Sequence, residues 1–175
     1  MIDPHAETTE IIRRHVRPLE PLPTDVMPRL EPLIGIRAVL FDIYGTMLIS
    51  GCGEVGTLAS DGRGEAVASA FEEMGVVLDG PPARVVELLD SVIRWHQAAA
   101  RGAGIPYPEV DITAVWTDVV ASLVAEKRVA RVVGEQLNPC RLAVEYEVRA
   151  NPVWPMPNLE ACLGQLSRSK RFLGV

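Results

Sequence analysis

The residue best placed to do chemistry is Asp42. It ends an unbroken apolar run, Ala38-Val39-Leu40-Phe41, and is followed by Ile43-Tyr44-Gly45-Thr46. Four apolar residues in a row, closed by an acid, are the pattern of a parallel strand buried on both faces. The carboxyl end of such a strand is where open α/β sheets bind ligands. Gly45 permits a tight turn there, and the Thr46 hydroxyl can bond nearby backbone. A carboxylate in that place can act as a covalent nucleophile, forming an acyl phosphate or an alkyl ester and dividing one hard step into two. The plain alternative is a strand-end aspartate that caps a turn. Tyr44 is open between a site wall and simple packing.

These residues have to be held by the elements around them. Residues 1–35 read as an N-terminal extension: a short helix over 8–16, then an irregular arm lying over the core. Pro18, Pro21, Pro23, Pro28 and Pro32 exclude a regular helix or central strand there, because each lacks an amide donor. Beyond the strand, helical periodicity predicts a helix over 65–74 closed by Gly75. A longer helix over 82–100, with Val85, Leu89, Val92 and His96 on its stripe, ends at Gly102. Asp111 caps a third helix, with Val110 and Val115 as a hydrophobic staple. Asn138-Pro139 opens a fourth, which stops at Asn151-Pro152. The block 58–150 thus reads as a helical unit of its own. A stiff proline-rich linker follows at 152–157. Leu159, Cys162, Leu163 and Leu166 mark a further helix, and Phe172-Leu173-Gly174-Val175 a second buried strand.

Apolar strand followed by Asp42-Ile43-Tyr44-Gly45-Thr46 resembles the first motif of the haloacid-dehalogenase-like hydrolases, and the helical block resembles that family's cap. The resemblance covers about residues 36–175. It implies an α/β fold: a partial Rossmann-like core with an inserted helical-bundle cap domain. In these terms, 36–57 hold the core strand with the nucleophile motif and a flap loop, 58–150 the cap, and 151–175 the return linker, core helix and incomplete second strand. The flexible flap that opens and closes the site would be residues 47–57. The resemblance further implies Asp42 as nucleophile, with Tyr44 and Thr46 beside it in the catalytic motif. In a phosphatase member, magnesium would bind through the Asp42 carboxylate and the Tyr44 backbone carbonyl. A dehalogenase member would need no cofactor. The substrate would be a small phosphate ester or haloacid, selected by the cap.

The sequence departs from the family's pattern in two ways. Phosphatases of the family carry a second Asp two residues after the nucleophile, and here that position is Tyr44. A tyrosine with an ordinary pKa of about 10 is a poor proton donor to a leaving alcohol at neutral pH, so Asp-x-Tyr-Gly-Thr resembles the dehalogenase branch better. The family's later Ser/Thr, Lys or Arg, and carboxylate pair fall beyond Val175, and Lys170 precedes the second strand. The expectation is a chain nearly inactive by itself, since those groups supply most of the electrostatic stabilisation.

Other features allow other classes. Gly51-Cys52-Gly53-Glu54-Val55-Gly56 matches G-x-G-x-x-G, a nucleotide-binding fingerprint, but Asp61-Gly62-Arg63-Gly64 is expected to interrupt the helix that should follow. Cys52 lacks the basic neighbours that would activate a thiol. His96 reads as a core or interface histidine. Trp95, Trp116 and Trp154 read as packing anchors, with Trp116 or Tyr107 as alternatives for lining a cleft. A non-catalytic interaction module, pairing through an unfinished sheet edge, is a further alternative. The 175 residues carry a net charge of -6, which argues against a nucleic-acid partner. Three cysteines without a C-x-x-C, no signal-peptide layout and no membrane-length apolar run point to a cytoplasmic protein.

Overall fold

The computed structural model describes residues 4–51 and 60–175. It is a mixed helix and strand protein that divides into two compact units: Met1–His15 with Leu58–Ala150, and Val16–Thr57 with Asn151–Val175.

The first unit is all helix among its described residues. Helix α1 spans Pro4–His15, with Glu7 in its first turn and Arg13, Arg14 and His15 in its last, the arrangement that complements the helix dipole. It is followed within the unit by α2 (Ser60–Glu73), α3 (Ala83–Gly102), α4 (Ile112–Ala125), α5 (Arg131–Gln136) and α6 (Pro139–Ala150). Capping sets several ends. Asp111 accepts from the Thr113 and Ala114 amides at the start of α4, and Asn138 Oδ1 accepts from the Cys140 and Arg141 amides at the start of α6. Gly75, at φ +69°, lets the chain leave α2 in a left-handed turn.

The core of this unit is built on Trp116, which is wholly buried among Phe71, Val85, Leu123, Leu142 and other apolar residues. Its ring stands 5.2 Å from that of Tyr146 and 6.4 Å from that of Phe71, both tilted. Arg63 ties three helices together: its guanidinium donates to both Asp90 oxygens, at 3.1 and 2.6 Å, and to the Tyr146 hydroxyl at 3.1 Å. The Asp90 hydrogen bonds hold Arg63 firmly protonated, above the usual arginine value.

The second unit holds two small sheets. Strand β1 (Ala38–Leu40) runs parallel to β4 (Phe172–Gly174), with Ala38 opposite Phe172 and Leu40 opposite Gly174. Strand β2 (Leu48–Ser50) is antiparallel to β3 (Val153–Pro155), with Ser50 opposite Val153 and Leu48 opposite Pro155. Helix α7 (Leu159–Arg168) joins β3 to β4.

Several sequence expectations are corrected here. Strands β1 and β4 are not buried: Leu40 is 81% and Phe172 79% exposed. Each sheet is two strands wide among the described residues, and Ile49 is the buried apolar residue described in this unit. The proline-rich arm does not lie over a core either, since Leu22, Met27, Leu30 and Ile34 are all exposed. The N-terminal helix is no extension; it packs on α6 and buries Ile11. The expected four-helix bundle gains α5, which has neither a capping side chain nor a buried residue to announce it. Gly134 lets α5 approach α4, because a Cβ there would collide with Val124. Helix α2 runs through Asp61-Gly62-Arg63-Gly64 without interruption, so the expected break is absent. Gly102 is the last helical residue of α3 rather than its stop, the left-handed turn coming at Gly104 with φ +91°. Part of the proline-rich linker is β3.

Candidate active site

Strand β1 delivers the motif. The Phe41 amide donates to the Gly174 carbonyl at 2.9 Å, which makes Asp42 the first residue beyond the parallel ladder, at its carboxyl end. The chain then turns tightly. The Ile43 carbonyl accepts from the amides of Met47 and Leu48, both at 2.8 Å, and the Gly45 amide donates to the Leu48 carbonyl at 2.8 Å. Tyr44 and Leu48 form an isolated parallel bridge across the turn. Gly45 is needed for its backbone: φ is +79°, while a Cβ would meet nothing within 4 Å.

Asp42, Tyr44 and Thr46 therefore sit together on one hydrogen-bonded turn, and all three are exposed. Among the described residues the Asp42 carboxylate and the Thr46 hydroxyl make no hydrogen bond or ion pair. An exposed carboxylate is available to an incoming electrophile but does not position one. That would require groups that orient the substrate and stabilise its developing charge.

Beyond the turn, part of the expected flap is strand. Residues 48–50 are β2, and residues 52–59, which hold the rest of the flap together with Cys52, Gly53 and Gly56, lie outside the described residues. Sequence reasoning missed the way β2 and β3 are fastened. The Met156 amide donates to the Met47 carbonyl at 2.9 Å and the Gly51 amide to the Pro152 carbonyl at 2.7 Å, while Ser50 Oγ donates to Asn151 Oδ1 at 2.7 Å. Gly51 thus has a packing reason to be glycine: a Cβ there would lie 2.7 Å from Pro152 Cγ. The sequence signal for it is Asn151-Pro152, which by itself reads only as a helix stop.

The remaining candidates separate. Trp116 is wholly buried in the core, whereas Tyr107 is 92% exposed. Trp95 is 63% exposed, which corrects its reading as a packing anchor; Trp154 is half-buried. His96 lies on its helix stripe, half-buried, with Nε2 2.8 Å from Asp118 Oδ2, so it bridges α3 and α4.

Magnesium takes oxygen donors in near-octahedral geometry and usually keeps several waters. Asp42 and the Tyr44 carbonyl offer donors of the right kind on one turn. Among the described residues no group of three His, Cys, Asp or Glu side chains is placed to hold a metal, so these donors are too few to fix one by themselves. No helix among the described residues is long and apolar enough to cross a membrane. Comparison with protein-family models, curated proteins and solved structures gave no match.

Proposed function

We propose that this chain carries the nucleophile portion of a haloacid-dehalogenase-like hydrolase, with Asp42 as the attacking carboxylate and a partial Rossmann-like core. The observation that carries the reading is the position of Asp42 directly past a strand paired in parallel, followed by a turn that Gly45 closes. The insertion of a helical unit between β2 and β3 supports it, as a cap would be inserted. In this reading Asp42 Oδ attacks phosphorus or a halogen-bearing carbon, the leaving group departs with the bonding pair, and water later releases the covalent ester. Tyr44, where a carboxylic acid would serve a phosphatase, favours a substrate whose leaving group needs no proton, such as the halide of a haloacid. Should the substrate be a phosphate ester, magnesium would join Asp42 and the Tyr44 carbonyl only with further oxygen donors supplied.

The reading carries over no Ser, Lys or second acid onto described residues beside Asp42, so the test supplies those groups. The test is hydrolysis of p-nitrophenyl phosphate and 2-chloropropionate by a polypeptide that continues residues 1–175 with the later core strands of such a hydrolase. Asp42→Asn is expected to lower the rate by about 10³-fold or more, since no other group replaces a covalent nucleophile. Unchanged activity would remove the assignment.

A second reading has its own observation. Leu40, Phe172 and Val175 are exposed to 81%, 79% and 77%, beside a parallel ladder whose outer edges are unpaired among the described residues. That is the surface of an interaction module that completes its sheet with another chain. Size-exclusion chromatography distinguishes the two, because a monomer at high concentration contradicts self-association through this sheet.

A further inference from the structure

The proline-rich arm between α1 and β1 repeats itself. Leu19-Glu20-Pro21-Leu22 returns eleven residues later as Leu30-Glu31-Pro32-Leu33, with Arg17 and Arg29 just ahead of the two copies. Over residues 16–33 the chain forms neither helix, strand nor turn, and Gly35, at φ +79°, ends the run. The prolines favour this state. Each fixes its own φ near the polyproline II value and biases the residue before it, Glu20 and Glu31 included, to an extended backbone. A polyproline II helix turns once every three residues, so residues three apart share a ridge. In that conformation Leu19 and Leu22 fall on one ridge, with Pro18 and Pro21 on the next. Leu30 and Leu33 do the same, with Arg29 and Pro32 beside them. Leu22, Leu30 and Leu33 are 88%, 89% and 75% exposed. Arg29 donates from Nε and Nη2 to Glu31 Oε1, both at 3.2 Å, so in the second copy the two charges answer each other beside the leucines.

We propose that residues 17–33 are a two-site ligand for another protein whose aromatic-lined groove reads polyproline II, each Leu-Glu-Pro-Leu copy filling one groove. Such a groove takes a stiff, already extended segment at little cost in conformational entropy, and its aromatic faces accept proline rings and leucines. Other uses of an exposed arm fit this one poorly. Pro21 and Pro23 remove two amides from the same edge of an extended chain, which opposes its addition to a sheet as a strand. The prolines also exclude a docking helix. Glu20, Asp25 and Glu31 outnumber Arg17 and Arg29, which opposes an anionic membrane surface or a nucleic acid. Along polyproline II the two copies stand about 34 Å apart, eleven residues at about 3.1 Å each. One chain can therefore engage two grooves at once and gain avidity from the second.

The experiment offers the whole chain to an immobilised array of SH3, WW and EVH1 domains, with phosphatidylserine vesicles as a parallel arm. Retention on at least one domain is expected, with competition by a synthetic peptide of residues 16–34. Leu30→Ala with Leu33→Ala should weaken retention by about 10²-fold through loss of the second site. Adding Leu19→Ala and Leu22→Ala should abolish it, while the α4 amide resonances show that the variants remain folded. The proposal is overturned if no domain retains the chain, or if the peptide fails to compete. It is equally overturned if the vesicles retain the chain as well as the domains do, or if the four-leucine variant binds like the parent.

Discussion

Ser50 donates its hydroxyl to Asn151 Oδ1 across 2.7 Å, joining residues 101 positions apart in the chain. The helices α2 to α6 depart just after one of these residues and return at the other. An antiparallel pair of three-residue strands, β2 and β3, thus forms the base of a large insertion. The turn carrying Asp42 precedes that base by a few residues, so the same backbone bonds that fasten β2 also steady the segment carrying Tyr44 and Thr46.

Breaking the base is expected to loosen the second unit selectively. Gly51→Val would drive a side chain into Pro152, whose ring has little freedom to yield, and should cost about 1–3 kcal/mol. Ser50→Ala removes one side-chain hydrogen bond and should cost about 1 kcal/mol. Exchange protection of the Gly51 and Met156 amides reports both, with the α4 amides as the internal control.

The turn depends on the backbone of Gly45. Gly45→Ala has space for its methyl group but must hold φ near +79°, so it should cost about 1 kcal/mol and weaken protection of the Leu48 amide. If that amide is as well protected in the variant, the turn does not rest on Gly45.

The proposed function turns on the side chain at position 44. In a polypeptide carrying the later core strands, Tyr44→Asp restores a carboxylic acid beside the leaving group. It should raise phosphate-ester hydrolysis by about 10²-fold or more, leaving haloacid hydrolysis without a comparable gain.

Two tryptophans should behave oppositely. Trp116→Ala empties the centre of the helical core and should cost about 3–5 kcal/mol in urea unfolding. Trp95→Ala removes a ring that is 63% exposed and touches His96 edge-on, and should stay within about 0.5 kcal/mol.

Much of this fold was legible where local chemistry decides it. Asp111 and Asn138 announce their helices because a side-chain oxygen next to free amides is a local signal, and the apolar stripe of α4 is long enough to read as a period. The parallel pairing of β1 followed from an apolar run, but its burial did not, because burial depends on the layers a sheet receives from elsewhere. Helix α5 was silent since nothing in Arg131–Gln136 caps it or is buried. The continuity of α2 through Gly62 and Gly64 was misread because it rests on long-range bonds from Arg63 to Asp90 and Tyr146. Of the candidate site, the turn carrying Asp42, Tyr44 and Thr46 was readable from its residues. The fastening of Ser50 to Asn151 was not, since neither residue alone signals a partner so far along the chain.

The nucleophile itself can be trapped. The chain, with and without the later core strands supplied, is incubated with p-nitrophenyl phosphate or 2-chloropropionate, quenched with borohydride and examined by peptide mass spectrometry. An acyl phosphate on Asp42 is reduced to homoserine, whereas an ester from the haloacid stays on the peptide as an added lactyl group, so the expected result is one of these two at position 42 in at least one substrate arm and neither in Asp42→Asn. Substrate turnover with Asp42 unmodified, or with the modification on another carboxylate, would contradict the proposed chemistry.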